Sequence, residues 1–144
     1  MQIGGAATAA PSEAAPSAVG GTPLEPVELS YWTEQTADPG RAFVEAQIER
    51  FQALHPGVTI THRPLENEQF FTALRAGFTS GNPPDFFQHE ANNTLFQFVV
   101  PGQVEDISDW YARPGAGDRF LPGTVDAVTY DGKQYGVPTS SMRR

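Results

Sequence analysis

Three short stretches hold most of the side chains that could do chemistry: Trp32, Glu34 and Gln35; then Glu66 and Asn67; then Gln88, His89, Glu90, Asn92 and Asn93. One indole among amides and carboxylates suits a polyhydroxylated ligand. The flat apolar face of a sugar can lie on an aromatic ring while its hydroxyls exchange donors and acceptors with the polar groups. Each residue also has a plainer reading. Trp32, at the end of an extended run, serves equally well as core. Glu66 and Asn67 can cap the helix that follows them, and Asn92 and Asn93 the next one.

Other chemistries fit less well. His89-Glu90 is half of a zinc-protease "HExxH", but position 93 is Asn, and His55 and His62 fall in other elements. No metal site is expected. Glu34 and Glu66 could form the carboxylate pair of a glycan-cleaving enzyme, yet nothing in the sequence would close a dry site around them. No G-x-S-x-G elbow or Gly-rich phosphate loop occurs, so neither an acyl-enzyme mechanism nor a nucleotide cofactor is expected. Asn92-Asn93-Thr94 matches a glycosylation acceptor, a pattern too common to carry an argument.

The elements that must position these residues are legible from periodicity. Residues 26–33, PVELSYWT, alternate as a strand does, and residues 58–64, VTITHRP, do the same. Between them Asp38-Pro39 reads as cap and first residue of a helix, with Val44, Ile48, Phe51 and Leu54 or His55 as its apolar stripe. Phe70, Phe71, Leu74 and Phe78 mark a second helix, ended by TSGNPP. Residues 85–88, DFFQ, suit a buried parallel strand. Leu95, Phe96, Phe98 and Val99 mark a third helix, stopped by Pro101-Gly102. Beyond it the sequence predicts an extended piece over QVEDI, a capped turn at Ser108 and a short helix within residues 120–128. A hairpin then turns at Asp131-Gly132, a pair suited to the positive φ of a type I′ turn. The order β-α-β-α-β-α implies an α/β fold with a largely parallel sheet flanked by helices. In such sheets ligands sit outside the carboxyl ends of the strands, which is where all three polar stretches fall.

Composition narrows the partners. The chain has 144 residues and a formal net charge of −8, with a pI near 4.7, so it offers no basic stripe for nucleic acid or an anionic membrane. It contains no Cys, which removes disulfides and thiolate ligands. No apolar run approaches the ~18 residues of a membrane helix. The first residues, Met1-Gln2-Ile3, lack the basic start and apolar stretch of a secretory signal. Residues 1–26, rich in Ala, Pro, Ser and Gly, cannot bury enough surface to offset their ordering entropy and read as a flexible tether. Residues 27–144 are left for one α/β lobe.

The succession VELSYWTE, FVEAQIERFQALHPGVTITHRPLENEQFFTALRAGFTSGNPPDFFQ, FVVPGQVEDISDW and YDGKQYGVPTS resembles the first lobe of the extracellular solute-binding proteins of carbohydrate ABC importers, the maltose-binding-protein-like family. The likeness covers residues 27–141. It implies the first lobe of a two-lobe periplasmic-binding-protein-like fold, with sugar clamped between lobes and ligand contacts in the loops after the first three strands. By position these are Trp32, Glu34, Glu66, Asn67, Gln88, His89, Glu90 and Asn92. It further implies an extracytoplasmic, monomeric protein without cofactor that delivers a sugar or oligosaccharide to a membrane permease. On this reading the Asp131-Gly132 hairpin leads toward a second lobe not contained in the 144 residues. The rival expectations are a stand-alone interaction module, a fragment without ligand, or a glycan-cleaving enzyme.

Overall fold

The computed structural model describes residues 25–91, 93–121 and 123–139. The expected tether, apart from Glu25 and Pro26, lies outside them, as does Asn92. Strand β1 (Val27–Thr33) is followed by α1 (Gly40–Leu54), β2 (Val58–Pro64), α2 (Asn67–Ser80), β3 (Phe86–Phe87) and α3 (Asn93–Val99). A single helical turn, α4 (Ser108–Tyr111), precedes the hairpin β4 (Thr129–Tyr130) and β5 (Lys133–Gln134). The three-stranded sheet has the order β2-β1-β3, all parallel. The β-α-β-α-β-α order expected from the sequence is the one observed.

Register decides which side chains meet. Val27 lies opposite Val58 and Thr33 opposite Pro64, so Tyr31 neighbours His62 and Trp32 neighbours Arg63. Because side chains alternate faces along a strand, Tyr31, Thr33 and His62 face α1, while Trp32, Arg63 and Phe87 face the other way. On that second face α2 and α3 bury Phe70, Leu74 and Phe98, with Trp32, Phe78 and Phe87 packed against them. Phe70 and Leu74 are wholly inaccessible to solvent. A second cluster of Leu95, Val99 and Val128 attaches the hairpin region to α3.

The α1 face is much looser. No residue of α1 is buried, and Phe51 and Phe86 remain 43% and 36% exposed. A groove of about 1280 Å³ runs between Ile48 and Phe51 of α1 and Tyr31, Ile60 and Phe86 of the sheet. The helical stripe of the sequence is present, but it lines an open groove instead of a closed core.

Four local expectations need correction. Asp38 does not cap α1: Pro39 is the N-cap residue and no side chain bonds the helix start. The DFFQ strand is only two residues long, because Asp85 is drawn into a side-chain clamp. Its carboxylate accepts from Ser30 N–H at 2.7 Å and Ser30 Oγ at 2.8 Å, and Asp85 N–H donates back to Ser30 Oγ at 3.0 Å. The QVEDI stretch forms no strand. The capped turn expected at Ser108 is present, with Asp106 as its acceptor: Ser108 donates its N–H to the Asp106 carboxylate at 3.0 Å and its hydroxyl at 2.5 Å. These bonds and Lys133, 3.0 Å away, hold the Asp106 carboxyl down at about 2. The residues 120–128 give one 3-10 turn, Asp126–Val128, rather than an α-helix.

The hairpin forms as its sequence requires. Asp131 and Gly132 have φ of +49° and +75°, the left-handed pair of a type I′ turn. Its second strand is tied inward by Ile107 N–H to Gln134 C=O at 2.8 Å and by Tyr111 O–H to Gly136 C=O at 2.7 Å.

Candidate functional site

Main-chain bonds carry the sheet's ladder past the strand ends. Leu65 N–H donates to Thr33 C=O and Gln88 N–H to Trp32 C=O, both at 2.9 Å. The starts of all three polar stretches are thereby fixed beside one another at the carboxyl edge. This placement follows from two parallel pairings sharing one central strand.

Side chains then link the loops. Asn67 Nδ2 donates to Glu34 Oε1 at 2.5 Å, joining residues 33 positions apart. Neither Glu66 nor Asn67 makes a side-chain capping bond at the start of α2, so the capping reading of this pair is not what the structure shows. The Glu34 carboxylate also lies near enough to His89 to bias its imidazole toward the charged form. One member of each loop, Glu34, Asn67 and His89, therefore shares a neighbourhood. Glu66 and Glu90, in the same polar stretches, are exposed.

His89 is held deeply. Its ring lies 5.4 to 6.3 Å from those of Phe70, Phe71, Phe87 and Phe98. Its Nδ1 is 2.8 Å from the Glu90 carbonyl oxygen. A carbonyl can only accept, so Nδ1 carries the proton and Nε2 is the bare lone pair. That Nε2, buried among phenyl rings, has no hydrogen-bond partner, nor does the buried Gln88 Oε1. Burial pushes the His89 pKa down, although the Glu90 carbonyl and the Glu34 charge oppose it.

Trp32 combines both of its readings. It is half-buried against the Phe70 cluster, and the Arg63 guanidinium sits 4.6 Å from its ring centre. Arg63 was not a sequence candidate. Its register opposite Trp32 is a signal available only once the pairing of the two strands is known. Thr33 was missed likewise: it is fully buried, yet it accepts the Gln35 amide at 3.2 Å.

The large groove on the α1 face is a different feature. Gln35, Gln88 and His89 are among the residues lining it, but its walls are mostly apolar side chains, which offer little to hydroxyls. Among the described residues no group of His, Cys, Asp and Glu is arranged to hold a metal ion, and no helix is long and apolar enough to cross a membrane.

Comparison with known proteins gives this fold a family. The family model for the bacterial extracellular solute-binding proteins matches residues 33–144. The chain belongs to this family. A solved chain from work on xylan utilization by the thermophilic bacterium Caldanaerobius polysaccharolyticus is 33% identical, with a TM-score of 0.73 over 78% of this chain and 28% of that one. A substrate-binding protein of Listeria monocytogenes in complex with cycloalternan is 26% identical, with a TM-score of 0.61 over 76% and 28%. An ABC transporter extracellular-binding protein of Pyrococcus horikoshii is 25% identical over 103 residues, 72% of this chain and 23% of that protein. The chain thus spans about a quarter of the length of these family members.

Proposed function

We propose that the chain is the first lobe of a carbohydrate-binding ABC importer component and that its carboxyl-edge loops form one wall of a sugar cleft. Residues 27–144 would be that lobe, and a second lobe of a longer polypeptide would supply the facing wall. The observation that carries this reading is the Glu34–Asn67 hydrogen bond beside His89, which places polar groups from all three loops together at the edge where α/β sheets bind ligands. The relative solved in complex with cycloalternan and the one from work on xylan utilization support the ligand class.

In this reading Glu34, Glu66, Asn67 and Glu90 exchange hydrogen bonds with sugar hydroxyls, and Asn92, two positions along the sequence from Glu90, is assigned the same role. Gln88 and His89 hold unpaired acceptors just beneath the surface. Trp32 offers its ring as a platform once Arg63 swings off it, an exchange that costs roughly 0.5–1 kcal/mol of cation–π attraction. The protein is a binding component and not an enzyme, works outside the cytoplasm as a monomer, and passes its ligand to a membrane permease.

The test is a chemical-shift titration of the isotope-labelled chain with xylo-, manno-, chito- and malto-oligosaccharides at millimolar concentration. Saturable shifts confined to residues 32–36, 65–68 and 88–93 are expected with at least one series. Shifts centred on the α1 groove, or none with any series, would overturn the reading.

A further inference from the structure

The first loop is tethered from inside the protein by a residue that no part of the cleft contains. His62 lies on β2 with its side chain 8% exposed. Its Nε2 is 2.8 Å from Thr33 Oγ1, and that same oxygen accepts the Gln35 N–H at 3.2 Å. Thr33 is completely buried, so its hydroxyl proton needs an acceptor inside the protein, and the imidazole is the one beside it. The neutral ring therefore presents a bare Nε2 to Thr33 and an Nδ1–H toward α1. Nδ1 has no hydrogen-bond partner; the nearest carboxylate oxygen, Glu45 Oε1, is 3.8 Å away and is engaged by Arg41 Nε at 2.7 Å.

We propose that His62 is a positioning residue for the Glu34–Gln35 loop, holding it through Thr33 while the imidazole is neutral and releasing it on protonation. This rests on the reading of that loop as part of the sugar cleft. The mechanism is a count of donors. A protonated ring places an N–H at Nε2, so two donors, Nε2–H and Gln35 N–H, converge on Thr33 Oγ1. The hydroxyl proton then has no acceptor in a site without water access. Rotating Thr33 relieves this but surrenders the Gln35 amide. The Glu45 carboxylate meanwhile draws the charged ring toward α1.

The groups facing His62 are Glu45 and Arg41 from α1 and Tyr31 and Thr33 from β1; the Tyr31 ring lies 5.9 Å away. Burial and Arg41 favour the neutral ring and Glu45 opposes them, with burial the largest effect, so the neutral form is the resting state at neutral pH.

The experiment follows the Gln35 amide and the His62 ring by NMR from pH 8 to pH 4.5 in the 144-residue chain without sugar. The Gln35 amide is expected to titrate with the His62 midpoint, below the ordinary histidine value. Glu45→Gln, at an exposed position, should move both midpoints down together, because Arg41 is left unbalanced. Thr33→Ser should keep the co-titration, and Thr33→Val, if it folds, should flatten the Gln35 response while His62 still titrates. A Gln35 amide that stays flat through the His62 titration, or midpoints that separate in Glu45→Gln, would overturn the proposal. Because no sugar enters the experiment, its failure leaves the cleft reading standing, and a failed sugar titration leaves this coupling standing.

Discussion

Asn67 and Glu34 are hydrogen-bonded at 2.5 Å across the gap between the first and second loops. Neither is a strong stabiliser, since an exposed bond of this kind is worth roughly 1 kcal/mol or less. Its consequence is geometric: it adds a side-chain link between two loops that the main-chain bond from Leu65 to Thr33 also joins. Asn67→Ala should therefore lower stability by at most about 1 kcal/mol in urea unfolding while erasing the sugar-induced shifts of both loops. A variant that binds as well as the parent would remove this pair from the cleft.

Trp32 is shared between the core and the surface, and its substitution should show both roles. Full deletion of a core aromatic costs about 3–5 kcal/mol. Half-burial against Phe70 and its neighbours scales this to about 2 kcal/mol for Trp32→Ala. Arg63→Ala should uncover the ring and increase the sugar-induced shift of its indole N–H. If Trp32→Ala costs the full amount and Arg63→Ala leaves the indole unresponsive, Trp32 is core alone.

Stability should fall on mild acidification before the carboxylates titrate. His62 and His89 both have folded-state pKa values below the ordinary value, chiefly through burial. The unfolded chain therefore binds protons near pH 6.5 that the folded chain refuses, and stability drops as pH falls through that value toward the folded pKa values. Thermal midpoints should be level above pH 7 and decline as pH falls below about 6.5. His89→Phe, placing a fifth phenyl ring among Phe70, Phe71, Phe87 and Phe98, should shrink the decline. A midpoint that rises over this interval would contradict the burial of both rings.

Asp85 pins the start of β3 to β1 through Ser30. These bonds to the ionised carboxylate hold its pKa below the usual value, so their stabilisation is present above about pH 4 and is lost as pH falls further. Asp85→Ala should cost about 1–2 kcal/mol at pH 7 and much less near pH 3. Equal costs at both pH values would show that the charge does not matter there.

What could be read from the sequence was whatever a local period encodes. Alternation in VELSYWT and VTITHRP gave β1 and β2, the Phe70–Leu74–Phe78 spacing gave the face of α2, and Asp131-Gly132 gave the hairpin. The polar loops could be placed because the sheet's carboxyl edge follows from element order. What escaped depends on pairing between distant residues. Asp85 reads as the first residue of a strand until Ser30 is placed beside it. Thr33 and His62 are unremarkable until parallel register lines up their strands, and Arg63 finds Trp32 only through the same register. The open α1 groove escaped for another reason: periodicity reports that a helix has an apolar face but not how tightly that face is covered.

The central claim, that these loops are one wall of a sugar cleft, is tested most directly by measuring the affinity of the 144-residue chain for oligosaccharides. A closed cleft encloses most of a small ligand and one wall about half of it. Losing ~4 hydrogen bonds of about 1 kcal/mol each weakens binding by about three orders of magnitude. A receptor of micromolar affinity would thus leave a millimolar site on this chain, visible as saturable shifts in the three loops and silent in calorimetry at micromolar concentration. Micromolar calorimetric binding by the chain alone would contradict the half-cleft account, and so would the absence of any loop response at tens of millimolar sugar.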